Sequence, residues 1–335
     1  MDIKPTVEND ENINKLINDD IETDISDRDI TDEELSNSEK KGIRRLPSGR
    51  ALTLGETYEI TASENTKIII LIGPSACGKT TIETTLYQMF QNDVVGDYYF
   101  AGSKTLQGYE QRSYYTRTKS KQNISTTPRT SRGSQETFLH LKLWNCKTDK
   151  YINFLFADLS GEDFENHIAS IESMKKDFNF IKSADYIIAV LDGKLLADKR
   201  RRNGAFEEMA QLLRTIFDAG LYTAHTNLQV VTSKYDIIKE ILLKDPSVET
   251  FTTRVKVELE QRLKSYINEI NFYNVAAMPN DNTIFEVGHG IKELMDSWST
   301  PQNSIVLSFK NNKRERKVKS EFDKLYEKLL GDSNG

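Results

Sequence analysis

Cysteine is nearly absent: Cys77 and Cys146 are the only two in 335 residues, which leaves no disulfide framework and no cysteine metal-ligand spacing. Four scattered histidines add no metal cluster. No stretch of eighteen apolar residues occurs, so no transmembrane helix is expected. Residues 1–20 are acidic and contain no apolar segment of signal-peptide type, so a reducing cytoplasm is the expected compartment. Strong positive charge is also missing. The net charge is −6, and residues 1–40 alone hold 14 acidic and four basic side chains, so the remainder is only mildly basic. That balance argues against nucleic acid as the main partner. The basic runs at 199–202 and 310–319 are not interleaved with aromatics and read as solvated faces rather than lipid or RNA contacts.

What is present organises the chain into three parts. Residues 1–48 are rich in Asp, Glu and Asn, with isolated isoleucines, and read as a disordered acidic tail. Residues 49–300 alternate strand-like and helix-like patterns. Buried strands are expected at 67–72, 184–191 and 228–231, and a short one at 272–277. A hairpin is expected from strands 137–145 and 151–157 joined by a polar turn. Helices are expected at 80–90, 164–181, 204–219, 247–270 and 288–298. The pattern at 51–62 suggests a further strand or hairpin, and 91–135 has no long period. Residues 301–335 read as an appendage with a charged helix. The fold class that follows is α/β, a mostly parallel sheet with helices on both faces and one antiparallel hairpin.

The chemistry is concentrated in Gly73, Pro74, Ser75, Ala76, Cys77, Gly78, Lys79 and Thr80, followed by Thr81. A glycine, four residues and Gly-Lys-Thr after an apolar strand is the P-loop pattern of an NTPase. The glycines let the backbone curl so that N–H groups face phosphate oxygens. Lys79 can reach the outer phosphates, the Thr80 hydroxyl can ligate Mg²⁺, and the following helix adds the positive end of its dipole. Cys77 fits here as a small residue.

Two further stations follow in order. Phe154 to Ala157 lead into Asp158-Leu159-Ser160-Gly161-Glu162, an apolar strand that ends in a carboxylate. Asp158 can hold Mg²⁺, the Gly161 N–H can meet a γ-phosphate, and Glu162 can orient an attacking water. Ser233-Lys234-Tyr235-Asp236 has the shape of the guanine-reading Asn-Lys-x-Asp pattern with serine in the first place. The Asp236 carboxylate can accept both N1–H and N2–H of guanine, a donor pair that adenine lacks. The Lys234 stem can lie over the base. Val275-Ala276-Ala277 stands where a backbone N–H of Ala276 or Ala277 would meet the guanine O6. Asp192, after an apolar strand, could instead imitate the acidic residue of an ATPase.

Over residues 54–298 the chain resembles the GTPase branch of P-loop NTPases, the translation-factor-related class. More narrowly it resembles bacterial double-GTPase families of conflict and defence systems, through Phe100 to Gly108, Thr127 to Ser131, Phe138 to Leu141 and Asp158 to Glu162. The resemblance implies a nucleotide-controlled switch with bound GTP or GDP, Mg²⁺, and a protein partner, often a second GTPase. It also implies that 91–135 contains switch I, with Thr127 as the Mg²⁺ ligand (Thr126 and Thr130 as alternatives) and Arg129 as a finger supplied in cis. Ser233 departs from the family pattern, and so does Glu162, which stands where a catalytic glutamine or histidine is usual. Slow hydrolysis is the expectation. A nucleotide-gated interaction module without turnover and an ATP-using P-loop ATPase remain the alternatives.

Overall fold

A computed structural model of the protein describes residues 48–114, 137–267, 269–281 and 283–299. The acidic tail and the appendage fall outside the described residues. The elements in chain order are β1 (Leu52–Thr53), α1 (Leu54–Ser63), β2 (Thr66–Ile72), α2 (Lys79–Asn92), β3 (Tyr98–Gly102) and α3 (Leu106–Ser113). After the undescribed stretch come β4 (Thr137–Asn145), β5 (Lys150–Asp158), α4 (Gly161–His167), α5 (Ile171–Asp177), a 3-10 turn (Asn179–Ser183) and β6 (Tyr186–Asp192). The chain continues with α6 (Gly193–Ala197), α7 (Arg202–Asp218), β7 (Asn227–Ser233), α8 (Tyr235–Leu242), α9 (Ser247–Leu263), β8 (Asn271–Asn274) and α10 (Ile291–Ser299).

Among the described residues, all eight strands join one sheet in the order β1-β4-β5-β2-β6-β7-β8, with β3 pairing the other end of β4. β5, β2, β6, β7 and β8 run parallel, and the β4–β5 hairpin is antiparallel. The expected architecture is therefore the observed one. β2 shows why it forms. Its β-branched run is buried on both faces: Ile70 and Ile72 join the core under α7 and α9, while Ile69 and Leu71 join the core under α2 and α10. Each such side chain contributes about 1.5–3 kcal/mol of burial, and the alternation ties the central strand to both helical layers at once.

The last helix is locked by polar as well as apolar contacts. Trp298 is fully buried, lies edge-on to Phe154 and Phe156 at 5.7 Å, and donates from Nε1 to Gln229 Oε1 at 2.9 Å. The Gln229 amide in turn donates to Ser297 Oγ at 2.9 Å.

Four expectations need correction. Residues 51–62 are not a hairpin: a two-residue strand leads into α1, because the Glu56 carboxylate accepts the Thr53 N–H and hydroxyl at 2.7 and 2.8 Å and starts a helix there. The span 91–135 is not structureless throughout, since β3 and α3 occupy its first half. They dock on β4 through polar side chains: Lys104 N–H donates to His140 Nδ1 at 2.9 Å, and the His140 N–H donates to Thr105 Oγ1 at 2.8 Å. The helix expected over 164–181 is split, because the Ser170 side chain accepts the Ser173 N–H at 3.2 Å and caps a new helix, α5. The helix expected over 247–270 ends with α9 at Leu263.

Candidate functional site

The parallel strands present their carboxyl ends along one edge. β2 stands between β5 and β6, so consecutive connections depart from it in opposite directions, which is where ligands bind in open α/β sheets. Register puts the three motifs on that edge: Ile70 lies opposite Ala157, Ile72 opposite Ala189, and Asp192 opposite Ser233.

The loop from Gly73 to Gly78 curls through positive φ at Gly73 (147°), Ala76 (60°) and Gly78 (103°). Ala76 pays a steric penalty that the glycines avoid, which marks an over-determined turn. A Cβ on Gly73 would stand 2.8 Å from Val190 O, so the loop also requires glycine for close packing on β6. Lys79, only 8 % exposed, turns back under the loop and donates from Nζ to Gly73 O at 2.8 Å and Pro74 O at 3.0 Å. Thr80 and Thr81 follow in the first turn of α2, half-buried. Cys77 is fully buried, and burial pushes its thiol up, away from the thiolate that redox chemistry would need.

Asp158 ends β5, and Gly161 opens α4 directly against the loop. A Cβ on Gly161 would stand 2.5 Å from Ser75 N and 2.6 Å from Pro74 C, so only glycine permits this approach. Glu162 is half-buried in the first turn of α4. Thr127 and Arg129 lie outside the described residues, as does the side chain of Asp158.

The third motif is physically tied to the first. Ser233 Oγ donates to Cys77 O at 2.6 Å, and Lys234 Nζ donates to Ala76 O at 2.8 Å. Lys234 sits in the left-handed region (φ 49°) and caps α8. Its ammonium also pairs with Asp192 Oδ2 at 2.7 Å, while Asp192 Oδ1 accepts the Lys194 N–H at 2.9 Å and caps α6. Asp192 thus serves the Lys234 station.

Asp236 is 8 % exposed, and its Oδ2 accepts the Asn280 N–H at 3.1 Å. The loop after β8 therefore closes over this corner, with Phe285 stacked on His289 at 4.1 Å and 6.0 Å from Tyr235. Of the two alanines, Ala276 donates its N–H to His289 O at 3.0 Å, which makes Ala277 the candidate for a base oxygen.

Several of these features were not visible in the sequence. Glu165, four residues beyond Gly161, places Oε1 2.9 Å from Ser75 N. The Asp192–Lys234 pair spans 42 positions, and the Asn280 contact comes from a loop without a motif. The one usable signal was Asp192 itself, an acidic residue closing a buried strand.

A family model described as Double-GTPase 2 matches residues 67–299, which is the whole of the sheet from β2 to α10.

The chain belongs to the Double-GTPase 2 family.

Membership in the Double-GTPase 2 family implies guanine-nucleotide binding, and the matched span contains every station of the site described above. Comparison with curated proteins gave no match. Among solved structures, a similar chain comes from the signal recognition particle receptor SRb-GTP/SRX complex of Chaetomium thermophilum. It is 14 % identical, the match covers 64 % of this chain and 92 % of that chain, and the TM-score is 0.35. No helix among the described residues is long and apolar enough to cross a membrane.

Proposed function

We propose that this protein is a Mg²⁺-dependent GTP-binding switch that hydrolyses GTP slowly, with residues 49–300 as its nucleotide domain. One observation carries the reading: the Ser233 hydroxyl and the Lys234 ammonium both bond to carbonyls of the phosphate loop, at Cys77 and Ala76. A base-reading segment fixed to a phosphate-binding loop fits one nucleotide spanning both. Serine retains the tether to the loop that the usual asparagine place supplies, and gives up an amide. Base choice then rests on Asp236 and the Ala277 N–H.

In this reading the loop N–H groups and Lys79 hold the phosphates, and the water attacks the γ-phosphate in line. Glu162 orients that water from the first turn of α4. A carboxylate there in place of glutamine is the reason for a slow rate. Arg129 is proposed to meet the developing charge and Thr127 to close switch I. The oxygen donors Thr80, Thr127 and Asp158 suit Mg²⁺. In this reading the ion's remaining ligands are nucleotide phosphates and water. Mg²⁺ held by these residues would supply positive charge to offset that of the phosphates. A protein partner of the GTPase class and a cytoplasmic setting complete the proposal.

The experiment is titration of labelled GTP onto wild-type protein and Lys79→Ala. Affinity lost in the variant supports the reading, and unchanged affinity ends it. A second reading, a module that binds GTP without turning it over, is favoured by Glu162 standing where a catalytic glutamine or histidine is usual. Single-turnover hydrolysis with purified protein separates the two.

A further inference from the structure

Glu165 is absent from every motif in the sequence, yet its carboxylate accepts the Ser75 N–H of the phosphate loop at 2.9 Å. Ser75 faces Gly161 so closely that a Cβ on Gly161 would stand 2.5 Å from its nitrogen. In the proposed reading the Gly161 N–H meets a γ-phosphate, so the Ser75 N–H beside it belongs to that same corner. A terminal phosphate there and the Glu165 carboxylate are both anions, and both need the same donor. The surroundings do not soften the conflict. Glu208 on α7 lines the same narrow gap, of about 10 Å³, with Gly73, Pro74, Gly161 and Glu165. Burial, and then the Glu165 charge, holds the Glu208 carboxyl above its ordinary range, as expected of carboxylates crowded on one side of the loop.

We propose that Glu165 is a specificity-determining residue that competes with the terminal phosphate of a nucleoside triphosphate for the Ser75 N–H, and so biases the site toward the diphosphate. The inference rests on the guanine-nucleotide reading of this site. Binding a triphosphate requires Glu165 to leave the loop, and because Glu165 sits on α4 about one turn after Gly161, its departure moves the switch segment. A diphosphate, which ends one phosphate short of this corner, leaves the Glu165 contact in place.

The test is calorimetric titration of GDP and of a non-hydrolysable GTP analogue, with excess Mg²⁺, onto wild-type, Glu165→Ala and Glu165→Gln protein. Glu165 is an exposed side chain, and the glutamine variant keeps its shape and an oxygen acceptor while removing the charge. The expected result is about five- to tenfold tighter binding of the triphosphate analogue in Glu165→Ala, a smaller gain in Glu165→Gln, and less than about a twofold change for GDP. A triphosphate-to-diphosphate affinity ratio unchanged in both variants overturns the proposal. So does a weaker triphosphate in either, which would make Glu165 a ligand of the bound state. If wild-type protein binds neither nucleotide, the underlying guanine reading has failed, an outcome distinct from normal binding with an unmoved ratio.

Discussion

Replacing Asp192 by asparagine tests how the site is held together. In the folded protein Asp192 does two things: Oδ2 pairs with Lys234 Nζ at 2.7 Å, and Oδ1 caps α6 through the Lys194 N–H at 2.9 Å. Asparagine caps as well as aspartate, so Asp192→Asn removes the charge and keeps the cap. The pair is neither fully buried nor freely solvated, with side-chain exposures of 9 % for Asp192 and 31 % for Lys234. A surface pair would be worth about 0–1 kcal/mol and breaking a buried one costs about 3–5 kcal/mol, so about 2 kcal/mol is expected. In a domain of this size that is a fall in Tm of about 4–8 °C. Lys234 would keep only its bond to Ala76 O, and with its stem less fixed, GDP and GTP should bind about tenfold more weakly. Denaturant unfolding and fluorescent-nucleotide titration read the two effects. The double variant Asp192→Asn/Lys234→Met should show a coupling of about 1–2 kcal/mol. Asp192→Ala should be worse than Asp192→Asn by about 1 kcal/mol, the value of the cap. Stability within about 0.5 kcal/mol of wild type together with unchanged nucleotide affinity would refute this reasoning. A loss confined to Mg²⁺-dependent affinity, without coupling to Lys234, would return Asp192 to the ATPase-like role.

Three further outcomes are expected. Gly161→Ala should destabilise by about 1–3 kcal/mol and weaken GTP more than GDP, because its Cβ meets loop backbone that cannot rotate away; thermal melts with and without nucleotide check this. Ser233→Ala leaves Cys77 O without the hydroxyl that now donates to it, and should cost about 1–2 kcal/mol of stability with a parallel loss of nucleotide affinity. His140 should confer acid sensitivity. Its Nδ1 accepts the Lys104 N–H, its Nε2–H donates to Asn153 Oδ1 at 2.9 Å, and burial pushes its pKa below the ordinary 6.5. The unfolded chain therefore binds the proton more readily, so this contribution is complete above about pH 6.5 and is lost as pH falls through the folded-state value. Stability measured from pH 7.5 to 5 should decline less steeply in His140→Gln than in wild type.

The parts legible in the sequence are those where one physical signal dominates. β2 and β6 carry continuous apolar runs because they are buried on both faces, and the phosphate loop is legible because a backbone cradle needs glycines at fixed spacing. The parts that were not legible depend on contacts between distant positions. β3 and α3 are held by the Ser103–Thr105 turn bonding to His140, which leaves no periodic trace. The 164–181 pattern reads as one helix, and only the Ser170 cap breaks it. At the site, the three motifs were legible as patterns, but the contacts that join them were not. The Ser233 hydroxyl on Cys77 O makes sense of a departure that the sequence could only report as one. Glu165 accepts the Ser75 N–H and the Asn280 N–H donates to Asp236, and no residue type announces a backbone donor.

The central claim is that these stations read one guanine nucleotide. The measurement that tests it most directly is the affinity of GTP, GDP and ATP for wild-type protein and Asp236→Ala, each with Mg²⁺ present. Both guanine nucleotides should bind wild-type protein at least about a hundredfold more tightly than ATP, and the variant should lose most of that preference while retaining its fold. Equal affinity for GTP and ATP in wild type, or a preference that survives Asp236→Ala, would contradict it.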